Sequence, residues 1–282
     1  MRVIVHGGAG GSPDEPEPRQ AVLDEAAETG ASESTPLDAV EAAVNVLEAS
    51  DRFNAGYGGA VQSDGVVRTD AGVMTSDRET GAVSSMEGVR DAVSAARVVC
   101  EETPHIFVSG DHAVDLVSAF GVETDVDLLT DENREKYEEE NPPSEGPKEH
   151  LDWLEERFGG HDTVGAVAFD GEEFAAATST GGRMWALAGR VGDVPQVGSG
   201  FYCAPAGGAS ATGAGEDIAK VTLSRRAVRY LEEGMDAQTA ADRAIEEFGE
   251  ITGSSAGVIV LDDSGTGAAF NSEGMPTATA TK

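Results

Sequence analysis

Apolar and polar positions recur along this chain in two periods. A spacing near 3.6 runs through Leu37, Val40, Val44 and Leu47, behind Thr35 as a cap and Pro36 in the first turn, and predicts a helix over residues 35–50. Similar patterns predict helices near 18–28, 89–102, 110–119, 217–233 and 236–248. A period of two appears in Thr163, Val164, Ala166, Val167 and Phe169, stops at the turn pair Asp170-Gly171, and resumes from Phe174 to Thr178. That is a β-hairpin. Strands are also predicted over 2–5, in short pieces over 59–83 with a turn at Asp64-Gly65, and over 256–261 and 266–271. Two sheet layers with helices on both outer faces, an α+β arrangement, accommodate this order. At 282 residues the chain can bury one sizeable core, so we expect a single domain over 1–282.

One stretch has neither period. Residues 130–149, DENREKYEEENPPSEGPKE after Thr130, carry the charge and proline content of a disordered segment, and 130–160 is expected to be a flexible linker. It ends just before the hairpin.

Charge changes the picture next. The formal net charge is −33, and only four of the 19 basic residues are lysine: Lys136, Lys148, Lys220 and Lys282. Self-repulsion of this size is tolerable where salt shortens the Debye length to about 3 Å at 1 M, so the composition fits the cytoplasm of a salt-in halophile. Nucleic acid is excluded as a partner by the lack of a basic face. No apolar run approaches the roughly 20 residues needed to span a membrane, and no signal peptide precedes the first strand, so a cytoplasmic protein is expected. Cys100 and Cys203 stand outside any CxxC pattern and read as reduced packing residues. His6, His105, His112, His150 and His161 lack zinc spacing, and the glycine runs lack a phosphate-loop register, so no metal or organic cofactor is expected in the chemistry.

The candidate chemistry clusters between His161 and Gly215. A threonine that opens a core strand would become an N-terminal residue if the bond before it were cut, and its own α-amine could then act as base for its hydroxyl. Thr163 is such a residue. Downstream, Thr178-Ser179-Thr180-Gly181-Gly182 closes the hairpin in a glycine turn. Arg190-Val191-Gly192-Asp193 sets a guanidinium three positions from a carboxylate, which suits the α-carboxylate and α-amine of an amino acid as well as an internal ion pair. Ala211-Thr212-Gly213-Ala214-Gly215 supplies a hydroxyl and close backbone approach, as an oxyanion site requires, and also reads as an ordinary strand-to-helix turn.

Taken together, HDTVGAVAFD, ATSTGG, GRVGD and ATGAGE resemble the N-terminal nucleophile hydrolases of the isoaspartyl peptidase/L-asparaginase (plant-type asparaginase) family. VHGGAG at Val5 and FNAGYG at Phe53 extend the resemblance to the first half. The resemblance implies a four-layer αββα sandwich and a precursor that cuts itself between Asp162 and Thr163 into an α chain (1–162) and a β chain (163–282). It implies Thr163 as nucleophile, Thr180 as its supporting threonine, Asn54 nearby, and Thr212 with Gly213 as the oxyanion site. Arg190, Val191, Gly192 and Asp193 would hold the substrate's amino-acid end, and Thr212, Gly213, Ala214 and Gly215 would line it. It further implies a structural sodium ion on the carbonyls of 47–53, a homodimer of αβ units, and L-asparagine or β-aspartyl dipeptides as substrates. His161-Asp162 before the nucleophile is the arrangement of the glycosylasparaginases, so that branch is the alternative substrate reading, with a processing-dead binding protein behind it. Arg183-Met184-Trp185-Ala186-Leu187-Ala188 departs from the Lys-bearing stretch usual before GRVGD.

Overall fold

The computed structural model describes residues 1–11, 15–143, 146–155 and 163–282. In chain order the elements are β1 (Arg2–His6), α1 (Pro16–Ala31), α2 (Pro36–Glu48), β2 (Arg68–Thr75), β3 (Thr80–Glu87), α3 (Ala92–Glu102), β4 (Phe107–Ser109) and α4 (Gly110–Ala119). Then follow α5 (Asp131–Glu140), α6 (Pro147–Glu155), β5 (Val164–Phe169), β6 (Phe174–Thr180), β7 (Phe201–Ala204) and β8 (Gly207–Gly213). The chain ends with α7 (Gly215–Val221), α8 (Leu223–Glu232), α9 (Ala237–Thr252), β9 (Ala256–Leu261), β10 (Thr266–Phe270) and β11 (Thr277–Thr281).

The strands form two sheets, one ordered β11-β1-β5-β6-β2-β3-β4 and one ordered β10-β9-β8-β7. Alternation sorts the side chains of the larger sheet. Val3, Val5, Val73, Val164, Ala166 and Ala177 face α1, α2 and α3, where they join Leu23, Val40, Val44, Leu47 and Val99. Ile4, Met74, Val167 and Ala176 face the other way and meet Phe201, Cys203, Ile259 and Leu261 of the smaller sheet. The far side of that sheet buries Ala209, Ala211, Val258 and Val260 against Ile218, Val228, Ile245 and Phe248. Both cysteines are free and buried, as expected.

The two sheets come close because glycine stands where a side chain would collide. A Cβ on Gly72 would lie 2.0 Å from the Phe201 ring, and one on Gly165 would lie 2.0 Å from Ser210 Oγ. Between those glycines Thr178 donates to the Gly200 carbonyl at 2.8 Å and shares a hydrogen bond with Ser210 at 2.6 Å, and Ser210 bonds His6 Nε2 at 2.9 Å. Burial drives the His6 pKa down to about 3, against the pull of the Thr163 carbonyl, so the ring is neutral.

Three expectations need correction. Residues 131–140 and 147–155, within the segment expected to be an unstructured linker, form α5 and α6. Asn133 Nδ2 donates to the Gly59 carbonyl at 3.1 Å, the Tyr137 hydroxyl to the Ser63 carbonyl at 3.3 Å, and His150 bridges Ser63 and the Pro143 carbonyl. A few anchors hold a highly charged stretch. The helix expected over 217–233 is two helices, broken where Thr222 adopts φ 54. Finally, β4, β7, β8 and β11 lie outside the strands predicted from sequence; GGASATG and TATAT have too little apolar contrast to mark strands, and three of these four stand at sheet edges.

Candidate active site

The hairpin β5–β6 places the threonines. Val164 pairs with Ser179, so Thr163, one residue earlier, stands beside Thr180. Both are buried, with 6% and 3% of their surface exposed. They line a nearly closed crevice with Gly182, Arg183, Arg190, Gly192, Asp193, Val194, Gly213 and Gly215. About 10 Å³ of free room remains, which is roughly one water's worth. Asp162 and His161 lie outside the described residues.

Thr180 ends β6 in a turn that Asn54 clamps from behind. Asn54 Nδ2 donates to the Gly182 carbonyl at 2.6 Å, its Oδ1 accepts from Ala60 N at 2.7 Å, and its carbonyl accepts from Gly181 N at 2.9 Å. Gly182 N in turn donates to Thr180 Oγ1 at 3.1 Å. Asn54 therefore fixes the turn and does not line the crevice.

Arg190 and Asp193 come from the loop between β6 and β7. Arg190 Nε and Nη2 form a side-on fork with Glu216 in the first turn of α7, both contacts 2.8 Å. Burial works against the Arg190 charge, but Glu216, Asp193 and Asp70 hold its pKa above the ordinary value. Asp193 is 4% exposed, and burial raises its pKa to about 7 against the pull of Arg190; its Oδ2 has no protein hydrogen-bond partner. A buried, unpaired carboxylate oxygen beside an arginine is suited to receive an ammonium group. Gly192 and Gly215 make room for the pair, since a Cβ on Gly192 would lie 2.7 Å from Arg190 Nη1 and one on Gly215 would lie 2.6 Å from Asp193 Oδ1.

Gly213, at the end of β8, has φ 132 and packs against Ala256 and the Ser255 carbonyl so closely that a Cβ would lie 2.6 Å from each. Thr212 is fully buried on the face toward the larger sheet, where its Oγ1 accepts from Ala9 N at 3.3 Å. Val191 and Ala214 keep the backbone path between their neighbours and are not among the lining residues.

The structure adds residues that sequence reasoning passed over. Glu216 orients Arg190; its place three residues after Gly213, at a helix start, was visible, but its partner was not. Asp70 on β2 is 2% exposed, lies opposite Thr180 and interacts with Arg190. The unusual 183–188 stretch has a packing reason: Trp185, at φ 64, joins Val61, Val67, Leu128 and Leu154 in a small core and meets Trp153 edge-on at 5.6 Å. This rim segment thus rests on α5 and α6.

Among the described residues, no group of three or more His, Cys, Asp or Glu side chains could hold a metal ion, and no helix is long and apolar enough to cross a membrane.

Comparison with known proteins gives one consistent result. Residues 1–282 match the family model described as Asparaginase. A plant-type L-asparaginase of Pyrococcus abyssi is 39% identical over 294 residues, covering 98% of this chain and 94% of its own. An isoaspartyl peptidase/L-asparaginase of Danio rerio is 38% identical over 277 residues, covering 95% and 87%. Another of the same name from Macaca fascicularis is 37% identical over 290 residues, covering 99% and 92%.

Proposed function

The chain belongs to the asparaginase family and is a hydrolase of the isoaspartyl peptidase/L-asparaginase type, and from that premise we propose that Thr163 is its nucleophile, exposed by self-cleavage after Asp162. The observation that carries this reading is the crevice in which Thr163, Thr180, Arg190, Asp193 and Gly213 converge from three separate parts of the chain. The relatives' names favour asparagine and isoaspartyl peptides over a glycosylated asparagine. The layer order described above, helices, sheet, sheet, helices, supports the four-layer αββα sandwich of the N-terminal nucleophile hydrolases.

In the precursor, the Thr163 hydroxyl attacks the Asp162 carbonyl. The C–N bond breaks, the acyl group passes to Oγ, and the nitrogen leaves as the new α-amine. Water then hydrolyses the ester, giving an α chain of 1–162 and a β chain of 163–282. In the mature enzyme the α-amine, with an ordinary pKa near 8, takes the proton of its own hydroxyl, and Oγ attacks the substrate's side-chain carbonyl. Thr212 and the Gly213 backbone receive the oxyanion, an effect worth about 3 kcal/mol per donor. The amine returns the proton to the leaving ammonia or amino acid. A water, deprotonated by the same amine, cleaves the aspartyl ester and releases aspartate. Thr180 supports the Thr163 hydroxyl. Arg190 holds the substrate α-carboxylate and Asp193 its ammonium, with Val191 and Gly192 carrying the loop and Ala214 and Gly215 flanking the bound end.

The structural sodium ion we propose would sit on carbonyls of the loop at 47–53. Of these, the Asp51 and Phe53 oxygens gather around Gly58 (φ 94), 3.0 and 3.2 Å from where its Cβ would stand, and hard cations take oxygen ligands of this kind. Such an ion would brace the segment carrying Asn54 and supply no chemistry. The assembly we propose is a homodimer of αβ units in the cytoplasm.

The test is intact mass and N-terminal sequencing of the purified protein in multimolar KCl. A fragment beginning Thr-Val-Gly-Ala-Val, lost in Thr163→Ala together with turnover, supports the assignment; a Thr163→Ala chain that still splits there removes it.

A further inference from the structure

The register of the larger sheet aligns more than the two threonines. Asp70 pairs with Thr180 on the side away from β5, and Thr163 stands on the other side. Directly opposed residues share a face with Cβ atoms about 5 Å apart, so Thr163, Thr180 and Asp70 form a row that places Asp70 about 10 Å from the nucleophile. Asp70 is buried, and none of the steps above uses it.

The fold is shaped around this carboxylate. Pairing between β2 and β3 passes from Thr69–Met86 to Ala71–Val83, so Ser84 and Ser85 both oppose Asp70, and β3 is bulged there. Ser85 takes φ 53, a conformation costly for serine, and from it donates its backbone N–H to Asp70 Oδ1 at 2.8 Å. Across the site Asp70 interacts with Arg190 and Asp193. Arg190 is forked to Glu216, and Asp193 is the carboxylate proposed above for the substrate's ammonium. Asp70 is the carboxylate of the group left facing the threonine row.

We infer that Asp70 is a positioning residue for the reaction at Thr163: its carboxylate, anchored by Ser85 and in line behind Thr180, sets the potential in which the α-amine of cut Thr163 gains and loses its proton. The inference rests on the assignment of Thr163 as N-terminal nucleophile. A nearby negative charge favours the ammonium, raising the amine's pKa and making it the stronger base. Burial pushes Asp70 up to about 7, into the range where an α-amine titrates, so the two protons are coupled. The groups facing Asp70 are Thr180 from β6, the Ser85 N–H from β3, Arg190 and Asp193 from the β6–β7 loop, and Glu216 of α7 through Arg190.

The experiment is the pH dependence of kcat/KM on L-asparagine for wild type, Asp70→Asn and Asp70→Glu, each first sequenced from its new N-terminus. In Asp70→Asn the acidic limb should move down by about one pH unit, the shift expected for unit charges roughly 10 Å apart at an effective dielectric near 20. Asp70→Glu should restore the wild-type limb. An unmoved limb in an Asp70→Asn enzyme cut at Thr163 overturns the inference, whereas a wild-type chain that is never cut there overturns the nucleophile assignment instead. Should neither variant fold, the coupling is read without touching Asp70. A ¹³C titration of its carboxyl should lie about one pH unit lower in the cut wild type than in the uncut Thr163→Ala chain, because coupling is reciprocal. Identical curves overturn it.

Discussion

Arg190 and Glu216 meet through a side-on fork that uses Nε and Nη2 and leaves the Nη1 edge of the guanidinium toward Gly192. The fork fixes the plane of Arg190 before any substrate arrives, and it keeps Glu216 ionised: burial opposes the charge, but Arg190 lowers the pKa below the ordinary carboxylate value. Glu216→Gln keeps the shape and removes the charge assistance. We expect KM for L-asparagine to rise about tenfold with kcat nearly unchanged, the pattern of lost ground-state binding. Steady-state kinetics decides it; a collapse of kcat at constant KM would assign Glu216 to the chemical step.

Gly215 separates binding from folding. It opens α7 with no positive φ, so its backbone accommodates alanine. Yet its Cβ would lie 2.6 Å from Asp193 Oδ1 and 2.9 Å from Arg190 Nη2. Gly215→Ala should therefore melt no lower than wild type while its KM rises at least about tenfold, since both groups proposed to hold the substrate must shift. A melting point that falls with KM would mean the glycine serves the backbone.

Gly72 tests the sheet contact. The Phe201 ring fills the place of its side chain, so Gly72→Ala overpacks the junction of the two sheets. The expected cost is about 1–3 kcal/mol, or several degrees of melting temperature for a domain of this size. A thermal melt with no loss would show that the sheets can part at this point without penalty.

What the sequence disclosed was chemistry carried on short, contiguous stretches. Thr163 and Thr180 belong to one hairpin, and Arg190 and Asp193 to one loop, so each pair stands in a short motif of the kind that carries the family resemblance. Asp70 and Glu216 escaped because their meaning lies in partners far along the chain. TDAGVM reads as an ordinary strand until register sets its aspartate beside Thr180, and a glutamate in a helix's first turn is commonplace until an arginine 26 residues earlier closes on it. β7, β8 and β11 escaped for a different reason. The alanine, glycine and threonine of β8 and β11 carry almost no hydrophobic contrast, and β7 is only four residues long.

The buried ionisable groups make a final prediction about stability, whose sign can be worked out. Burial raises Asp70 and Asp193 to about 7 and Glu48 well above its ordinary value, so in the folded chain these three take up protons at pH values where the unfolded chain is still ionised. Stability from them grows as pH falls through 7 toward the ordinary carboxylate range near 4. His6 acts in the opposite sense. It stays neutral to about pH 3 when folded and protonates near 6.5 when unfolded, so its contribution is lost as pH falls below 6.5. Three groups outweigh one. The surface complicates the reading, because acidification also relieves the self-repulsion of a chain at −33. Multimolar KCl removes that contribution by cutting the Debye length below about 3 Å. In such salt we expect a higher melting temperature at pH 5.5 than at pH 8, and a flatter dependence in Asp70→Asn and Asp193→Asn. In dilute buffer the melting temperature at pH 8 should fall further still and recover with added KCl. A high-salt melting temperature that drops on acidification from pH 8 to 5.5 would mean that these carboxyls are ionised in the folded protein, and that Arg190 carries more of the site's charge balance than burial removes.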